Sequence, residues 1–475
     1  MDTRLHNRSQ SASGTVAVIG GGVAGMSAAC ALGEAGYRVQ LIERRGYLGG
    51  RASSYLHPGV NEVIDNCQHA LIGAYTNLIA FYQRIGVADK IHWTTNYTMI
   101  EPGGRRSSLG ASWLPAPLHG LPKLLSCGAF TAGDKVSLVR AFTAILLGSG
   151  NDPHESLGAW LRRQGQSKGA MERFWRLVIA SALNSDIDQI GVNYASMVIR
   201  GLFMDSAQAG AMGMSTVPLS QLYAGVPEFL SARGGRVSLN ANVERLLWDQ
   251  SSKQWSLSIR GEDAELRCDF VVLALPFEGC AKLLPLLPAV EGKEKLTQQV
   301  ESHTHWPICS AHLWFDREIT DLDHAVLLDR ELHWMYNQSK LQRRPGNYIE
   351  LVQSASRAYA ALPREEALAQ AVGEVGEFFP EARSARVVKA ALIKEVRATF
   401  GVPPGVDSAR PSARSPWPNL FLAGDWIATG WPSTMESAAR SGHIAADELC
   451  AQSGGTGRFL TPDLKPQGLM RFLSL

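Results

Sequence analysis

Residues 15–43, TVAVIGGGVAGMSAACALGEAGYRVQLIE, constrain the fold more than any other part of the chain. The run at 16–19 is short, apolar and β-branched, which predicts a parallel strand buried on both faces. Gly20, Gly22 and Gly25 then form G-x-G-x-x-G. The first glycine allows a tight turn, the second lets a pyrophosphate approach the backbone, and the third lets helix pack on strand. A small-residue helix follows over 26–35, and its N-terminus aims free N–H groups and a positive dipole end at phosphates. A second strand over 37–42 ends in Glu43, where a carboxylate can accept both hydroxyls of an adenosine ribose. Strand, glycine turn, helix, strand and acid in this order predict a dinucleotide cradle, whereas the glycines alone would be weak evidence.

The next stretch, ERRGYLGGRASS, carries Arg44, Gly49, Gly50 and Arg51. It resembles the G-G-R segment that follows the ribose acid in amine-oxidase and phytoene-desaturase-like flavoproteins, and the resemblance implies FAD rather than NAD. Gly49 and Gly50 permit a second close backbone approach, and Arg51 can offset pyrophosphate charge or stand solvated.

At 475 residues the chain is too long for one ordinary core, which predicts two closely joined domains. Lys+Arg of 46 against Asp+Glu of 44 gives no reason to expect a nucleic-acid partner. Seven scattered cysteines without C-x-x-C spacing favour reduced thiols over a zinc site or a disulfide framework. The opening MDTRLHNRSQSASG lacks the apolar core of a signal peptide, and no later run approaches ~18 apolar residues. The expectation is a cytoplasmic protein without a membrane span, which can still lie peripherally on the inner face of the membrane.

Residues 59–86, GVNEVIDNCQHALIGAYTNLIAFYQRIG, place Asp65, Asn66, Gln68 and His69 before an amphipathic helix. D-N-x-Q-H, a G-x-Y helix and an R-I-G ending resemble the hydroxysqualene dehydroxylases, squalene-associated flavoproteins of bacterial hopanoid pathways. Cys67 stands where the familiar form has glycine. Residues 91–109 read as two strands around Pro102-Gly103-Gly104. The apolar, turn-rich stretch at 110–150, punctuated by Lys123, Lys135 and Arg140, fits either a membrane-interface segment with snorkelling cations or buried core helices. Residues 157–200 read as helices; Phe174 and Trp175 suit a pocket wall or plain core, as do Met212 and Met214 further on.

The nucleotide domain is expected to return at GGRVSLNANVERLLWD, read as a strand pair, and at the buried strand CDFVVLALP. By the resemblance, the Val243 backbone meets the adenine. Apolar and polar residues alternate over 300–400, predicting an antiparallel substrate-domain sheet interrupted by a helix over 365–379. The closing NLFLAGDWIATGWPSTMESAARSGHIAA predicts a strand ending at Gly424 and Asp425, then a helix from Thr434. The resemblance puts Gly424 and Asp425 at the ribityl-phosphate arm and the helix start at Met435 opposite the flavin pyrimidine carbonyls, where a positive dipole end stabilises reduced flavin. ARSGHIAA has no cysteine where covalent amine oxidases place their flavin-linked thiol, so FAD is expected to be noncovalent.

The expected architecture is therefore α/β: a Rossmann-type FAD-binding domain built from 15–90, 235–285 and 400–450, interleaved with an α+β substrate domain from 91–234 and 286–399. Residues 1–14 and 451–475 are read as tails, the second able to touch lipid. The resemblance implies an oxidoreductase that reductively removes the hydroxyl of hydroxysqualene, an apolar isoprenoid, giving squalene with hydride from reduced flavin. It also implies an electron donor that the sequence does not identify. His69 and Asp65 are the candidate proton donors, since histidine donates near neutrality and a desolvated aspartate stays protonated. Both have structural alternatives, a helix cap for Asp65 and a carbonyl contact for His69. Three other readings stay open: a carotenoid-type desaturase running hydride the opposite way, an amine oxidase with Trp426 and Trp431 as its aromatic cage, and a noncatalytic isoprenoid carrier.

Overall fold

A computed structural model describes residues 14–473, so most of the segment read as an N-terminal tail, residues 1–13, lies outside the described residues. The first unit forms as its pattern dictates: β1 (Thr15–Ile19), α1 (Val23–Glu34) and β2 (Arg38–Ile42), with β1 and β2 parallel and in register from Thr15↔Arg38 to Ile19↔Ile42. On its other edge β1 pairs in parallel with Phe270–Leu273, which in turn pairs with Leu420–Leu422. Arg236–Ser238 adds to β2 and completes a five-stranded parallel sheet drawn from widely separated segments. Three of its strands, Thr15–Ile19, Phe270–Leu273 and Leu420–Leu422, are buried on both faces, which is why they read as continuous apolar runs.

The helix Met435–Gln452 lies against α1. Small residues set that approach: a Cβ on Gly442 would fall 2.3 Å from the Ala24 carbonyl oxygen. A side chain there would push the two helices apart. Their N-termini both face the carboxyl edge of the sheet, where open α/β sheets bind ligands.

A second, seven-stranded sheet runs Val387–Phe400, His305–Phe315, Asn347–Gln353, Trp334–Asn337, His324–Leu327, Asn96–Ile100, Arg106–Gly110. Its pairings are antiparallel except for His324–Leu327 beside Asn96–Ile100, so the sheet is mixed. The helix Arg364–Phe378 packs on one face and has its own apolar core with Leu351, Leu313 and Met335. A helical layer made of Ala132–Leu146, Leu157–Arg163, the run 168–183 and Val192–Phe203 closes the other side of the cavity described below.

Three local expectations need correction. GGRVSLNANVERLLWD is not a strand pair: Arg236–Ser238 belongs to the parallel sheet, while Val243–Asp249 pairs with Gln254–Ile259 in a small antiparallel sheet. Asn240, at a φ of 55°, turns the chain between them. Residues 91–110 form three strands, because Ile91–Thr94 leaves to pair with Met212–Ser215 before Asn96–Ile100 joins the large sheet. Asn347–Gln353 is buried at nearly every position rather than at alternate ones, since helix covers one face and the cavity segment the other. Residues 453–469 have no regular structure yet are held: the Phe459 amide donates to Asp447 at 2.6 Å and the Thr461 amide to Asn77 at 2.9 Å. A last helix, Met470–Leu473, follows.

Candidate active site

The G-x-G-x-x-G turn divides its glycines by task. A Cβ on Gly25 would lie 1.9 Å from the Gly20 carbonyl oxygen, and one on Gly20 would lie 2.3 Å from that of Ala274, so these two permit packing. A Cβ on Gly22 would meet no protein atom within 4 Å; its open side faces a cavity of about 920 Å³. The second glycine turn docks on the first, with the Gly49 amide donating to the Gly21 carbonyl at 2.8 Å and Gly50 lining the same cavity. Glu43 accepts the Gly21 amide at 2.7 Å and the Arg45 amide at 2.8 Å, which fixes its carboxylate at the cavity edge. A carboxylate has about four acceptor positions, so room remains for two hydroxyls. Exposed Arg44 and the start of the strand at Val243 border the cavity beside it. This donor set and its empty glycine face fit a dinucleotide.

The other end of the chain completes the cradle. Asp425 is buried and accepts from Arg51 at 2.6 Å and from the Ser433 hydroxyl at 2.5 Å. Burial alone would raise its pKa, but the Arg51 charge and these hydrogen bonds hold it below the usual carboxylate value. Arg51 also donates to the Ala398 carbonyl at 2.9 Å. It thus joins two glycine motifs while its partly exposed side chain also lines the cavity. Thr434 caps the Met435–Gln452 helix by accepting the Ser437 amide at 3.1 Å, and Met435, its first residue, lines the cavity with Gly424 and Asp425. The positive end of an 18-residue helix therefore faces the chamber. Trp426 is buried away from the cavity and donates to the Leu275 carbonyl, and Trp431 packs edge-on against Tyr75, so the two do not form an aromatic cage.

The segment Asp65–His69 divides. Asp65 does not reach the cavity, nor does it cap the next helix, which starts at Thr76. It accepts from the Ser54 hydroxyl at 2.6 Å, the Leu219 amide at 3.0 Å and Gln342 at 3.2 Å, a structural arrangement that leaves it no substrate to protonate. His69 does line the cavity. Its Nδ1 lies 2.6 Å from the Cys67 carbonyl, so Nδ1 carries the proton and Nε2 is the acceptor. Burial, reinforced by Arg51, pushes its pKa below the ordinary histidine value and keeps it neutral. Such a ring accepts a hydrogen bond rather than protonating a leaving group. Cys67 is absent from the left-handed backbone positions, so it replaces glycine without strain, and its thiol joins an apolar cluster with Met212, Tyr336 and Val352.

Besides Met212 of that cluster, the walls are greasy: Phe174, Leu202, Phe203 and Trp334 line the chamber. Trp175 and Met214 are core instead. The polar groups that sequence reasoning missed sit behind Gln68. Glu350 is fully buried, accepts the Gln68 amide at 2.6 Å and the Gln338 side chain at 2.7 Å, and is pushed up to about 8 by burial and by nearby Asp65. A glutamate in the middle of the apolar run YIELVQ was the available signal. Tyr336 borders the chamber, and burial pushes its phenol far up, so it keeps its proton. Among the described residues no cluster of His, Cys, Asp or Glu has the arrangement of a metal site.

Comparison with known proteins agrees with this geometry. The chain is 27% identical over 462 residues to a 15-cis-phytoene desaturase of Synechococcus elongatus, covering 92% of this chain and 96% of that one. It is 24% identical to a probable zeta-carotene desaturase of the same organism, covering 91% and 98%. Among solved structures, a putrescine oxidase with bound putrescine superposes with a TM-score of 0.70 at 16% identity, covering 92% of this chain and 99% of that one. An oxidoreductase from Methanosarcina mazei gives 0.69 at 16% identity, over 92% and 100%. The fold is thus that of the amine-oxidase-like flavoproteins. The family model for flavin containing amine oxidoreductases matches residues 23–450, and the chain belongs to that family.

Proposed function

We propose that the protein is an FAD-dependent oxidoreductase that removes the allylic hydroxyl of hydroxysqualene to give squalene, with FAD held noncovalently. The observation that carries this reading is the continuity of one cavity from the open face of Gly22 to an apolar chamber whose wall includes Asn66, Cys67, Gln68 and His69 of the D-N-x-Q-H segment. In the overall change a C–O bond breaks, the hydroxyl leaves with a proton as water, and a C–H bond forms. Reduced flavin would supply the hydride, and an external electron donor must restore it. The chain's own share is to exclude water, to place the helix dipole at Met435 beside the cofactor, and to present hydrogen-bond donors to the departing oxygen. Tyr336, protonated and on the apolar wall, is proposed to donate a hydrogen bond to the departing oxygen, a role that neither Asp65 nor His69 is placed to fill.

A membrane surface supports delivery of such a substrate. Trp113 is 89% and Phe472 77% exposed, and their segments are stitched together by the Leu469 amide donating to the Ala116 carbonyl at 2.8 Å. Leu118 and Leu125, further along the segment that carries Trp113, are exposed as well. Among the described residues no helix is long and apolar enough to cross a membrane, so contact at the interface of the cytoplasmic membrane is the proposed mode.

Similarity to the desaturases favours a second reading, in which oxidised flavin accepts hydride from a carotenoid precursor. Product analysis separates the two. Chemically reduced protein incubated anaerobically with hydroxysqualene should yield squalene, and oxidised protein should leave phytoene unchanged. Desaturated phytoene with no squalene formed would reverse the assignment, and silence in both would favour a carrier.

A further inference from the structure

Gln68 is the one residue of the D-N-x-Q-H segment whose side chain is oriented by a chain of amides, running from partly buried Gln342 through fully buried Gln338. Gln342 donates to the Gln338 Oε1 at 3.0 Å, which turns the Gln338 Nε2 toward Gln68 and Glu350. That nitrogen has two protons, and it gives one to the Gln68 Oε1 and one to Glu350, both at 2.7 Å. The amide of Gln68 is thereby fixed with oxygen toward Gln338 and nitrogen away from it. Its Nε2 is buried and has no partner among the described residues, although Gln68 borders the cavity. The surrounding wall is the apolar cluster of Cys67, Met212, Tyr336 and Val352, on which Trp334 packs. An unpaired buried N–H in such a wall costs free energy unless a ligand brings an acceptor. A hydrocarbon has none.

We propose that the Gln68 amide donates a hydrogen bond to an oxygen atom of the substrate, so that the chamber selects an oxygenated isoprenoid over the matching hydrocarbon. This rests on reading the chamber as an isoprenoid site and adds its specificity element. Gln338 is a positioning residue, holding the amide in its donating orientation.

The test uses the oxidised, flavin-loaded protein and titrates hydroxysqualene and squalene by the change each causes in the flavin visible spectrum. Wild type should bind hydroxysqualene about tenfold more tightly, the worth of one good hydrogen bond. Gln68→Met should weaken hydroxysqualene by that factor and leave squalene within about twofold, erasing the preference. Gln68→Asn, one methylene shorter but still polar, should do the same and guards against a folding defect in the first variant. A preference that survives both substitutions overturns the proposal. So does a shift in the spectrum of ligand-free Gln68→Met with equal weakening of both ligands, which would put the acceptor on the flavin. Turnover is read separately: squalene production with an unchanged preference sinks the role of Gln68 alone, and a Gln68-dependent preference without turnover sinks the dehydroxylase reading alone.

Discussion

Arg51 and Asp425 lie 374 residues apart in sequence and meet at 2.6 Å, so one ion pair closes the N-terminal glycine turn onto the C-terminal Gly-Asp turn. The Asp425 side chain is only 6% exposed. Asp425→Asn leaves a guanidinium facing a neutral amide in a partly dry site, and a loss of roughly 2–4 kcal/mol of stability is expected. Because the folded-state pKa of Asp425 lies below its unfolded value of 3.8, the stabilisation is fully present above about pH 4 and disappears as pH falls through the lower value. Urea unfolding between about pH 3 and 7 checks this, with the wild-type advantage over the variant expected to shrink only at the acid end.

The glycines of the first turn give a paired test of the cradle. Gly22 has a φ of −76°, ordinary for any residue, and open space where a side chain would be, so Gly22→Ala should leave the thermal midpoint of the flavin-free protein nearly unchanged while sharply weakening flavin binding. Gly25→Ala drives a methyl to 1.9 Å from a carbonyl oxygen and should destabilise even the flavin-free protein by about 3 kcal/mol or more. Equal losses in both variants would mean that the open face of Gly22 is not where the cofactor lies.

Glu350 should impose a slope of opposite sign on stability. Its folded pKa of about 8 exceeds the unfolded value of 4.5, so between them the native protein holds a proton that the unfolded chain has released. Stability then falls as pH rises, by up to about 1.4 kcal/mol per pH unit for this one group. Glu350→Gln should flatten that part of the profile and gain on wild type toward pH 8. Parallel profiles for the two proteins would show Glu350 to be ionised throughout.

Membrane contact is checked by sedimentation with vesicles of mixed neutral and anionic lipids. Trp113→Ser combined with Phe472→Ser removes two large side chains that are mostly exposed. Partitioning should fall by about tenfold or more with stability unchanged. Undiminished partitioning would remove that face from consideration.

The cradle was legible because each of its parts is local: β-branched strand, glycine spacing, small-residue helix and terminal acid all fall within residues 15–43, where pattern and chemistry coincide. The closing motif was legible for the same reason. Roles that depend on contacts distant in sequence were not. Asp65 reads as a candidate acid beside His69, yet Leu219 and Gln342 take up its carboxylate. His69 reads as a donor until the Cys67 carbonyl commits its Nδ1. Glu350 lies in a strand and Gln338 at the start of a short helix, neither with a motif of its own, and only the tertiary fold brings them to Gln68. The apparent strand pair at 235–250 failed because a single left-handed asparagine sends its halves to different sheets.

The parallel sheet takes its outermost strand, Leu420–Leu422, from near the end of the chain, whereas its centre is laid down by residue 19. On the ribosome, therefore, once Phe270–Leu273 has been made, nearly 150 further residues must be added before the open flank of that strand gains its neighbour. Nearly the whole message must be read before the sheet can be finished, and any product that stops short of residue 420 carries an exposed apolar edge of the kind that chaperones and proteases recognise.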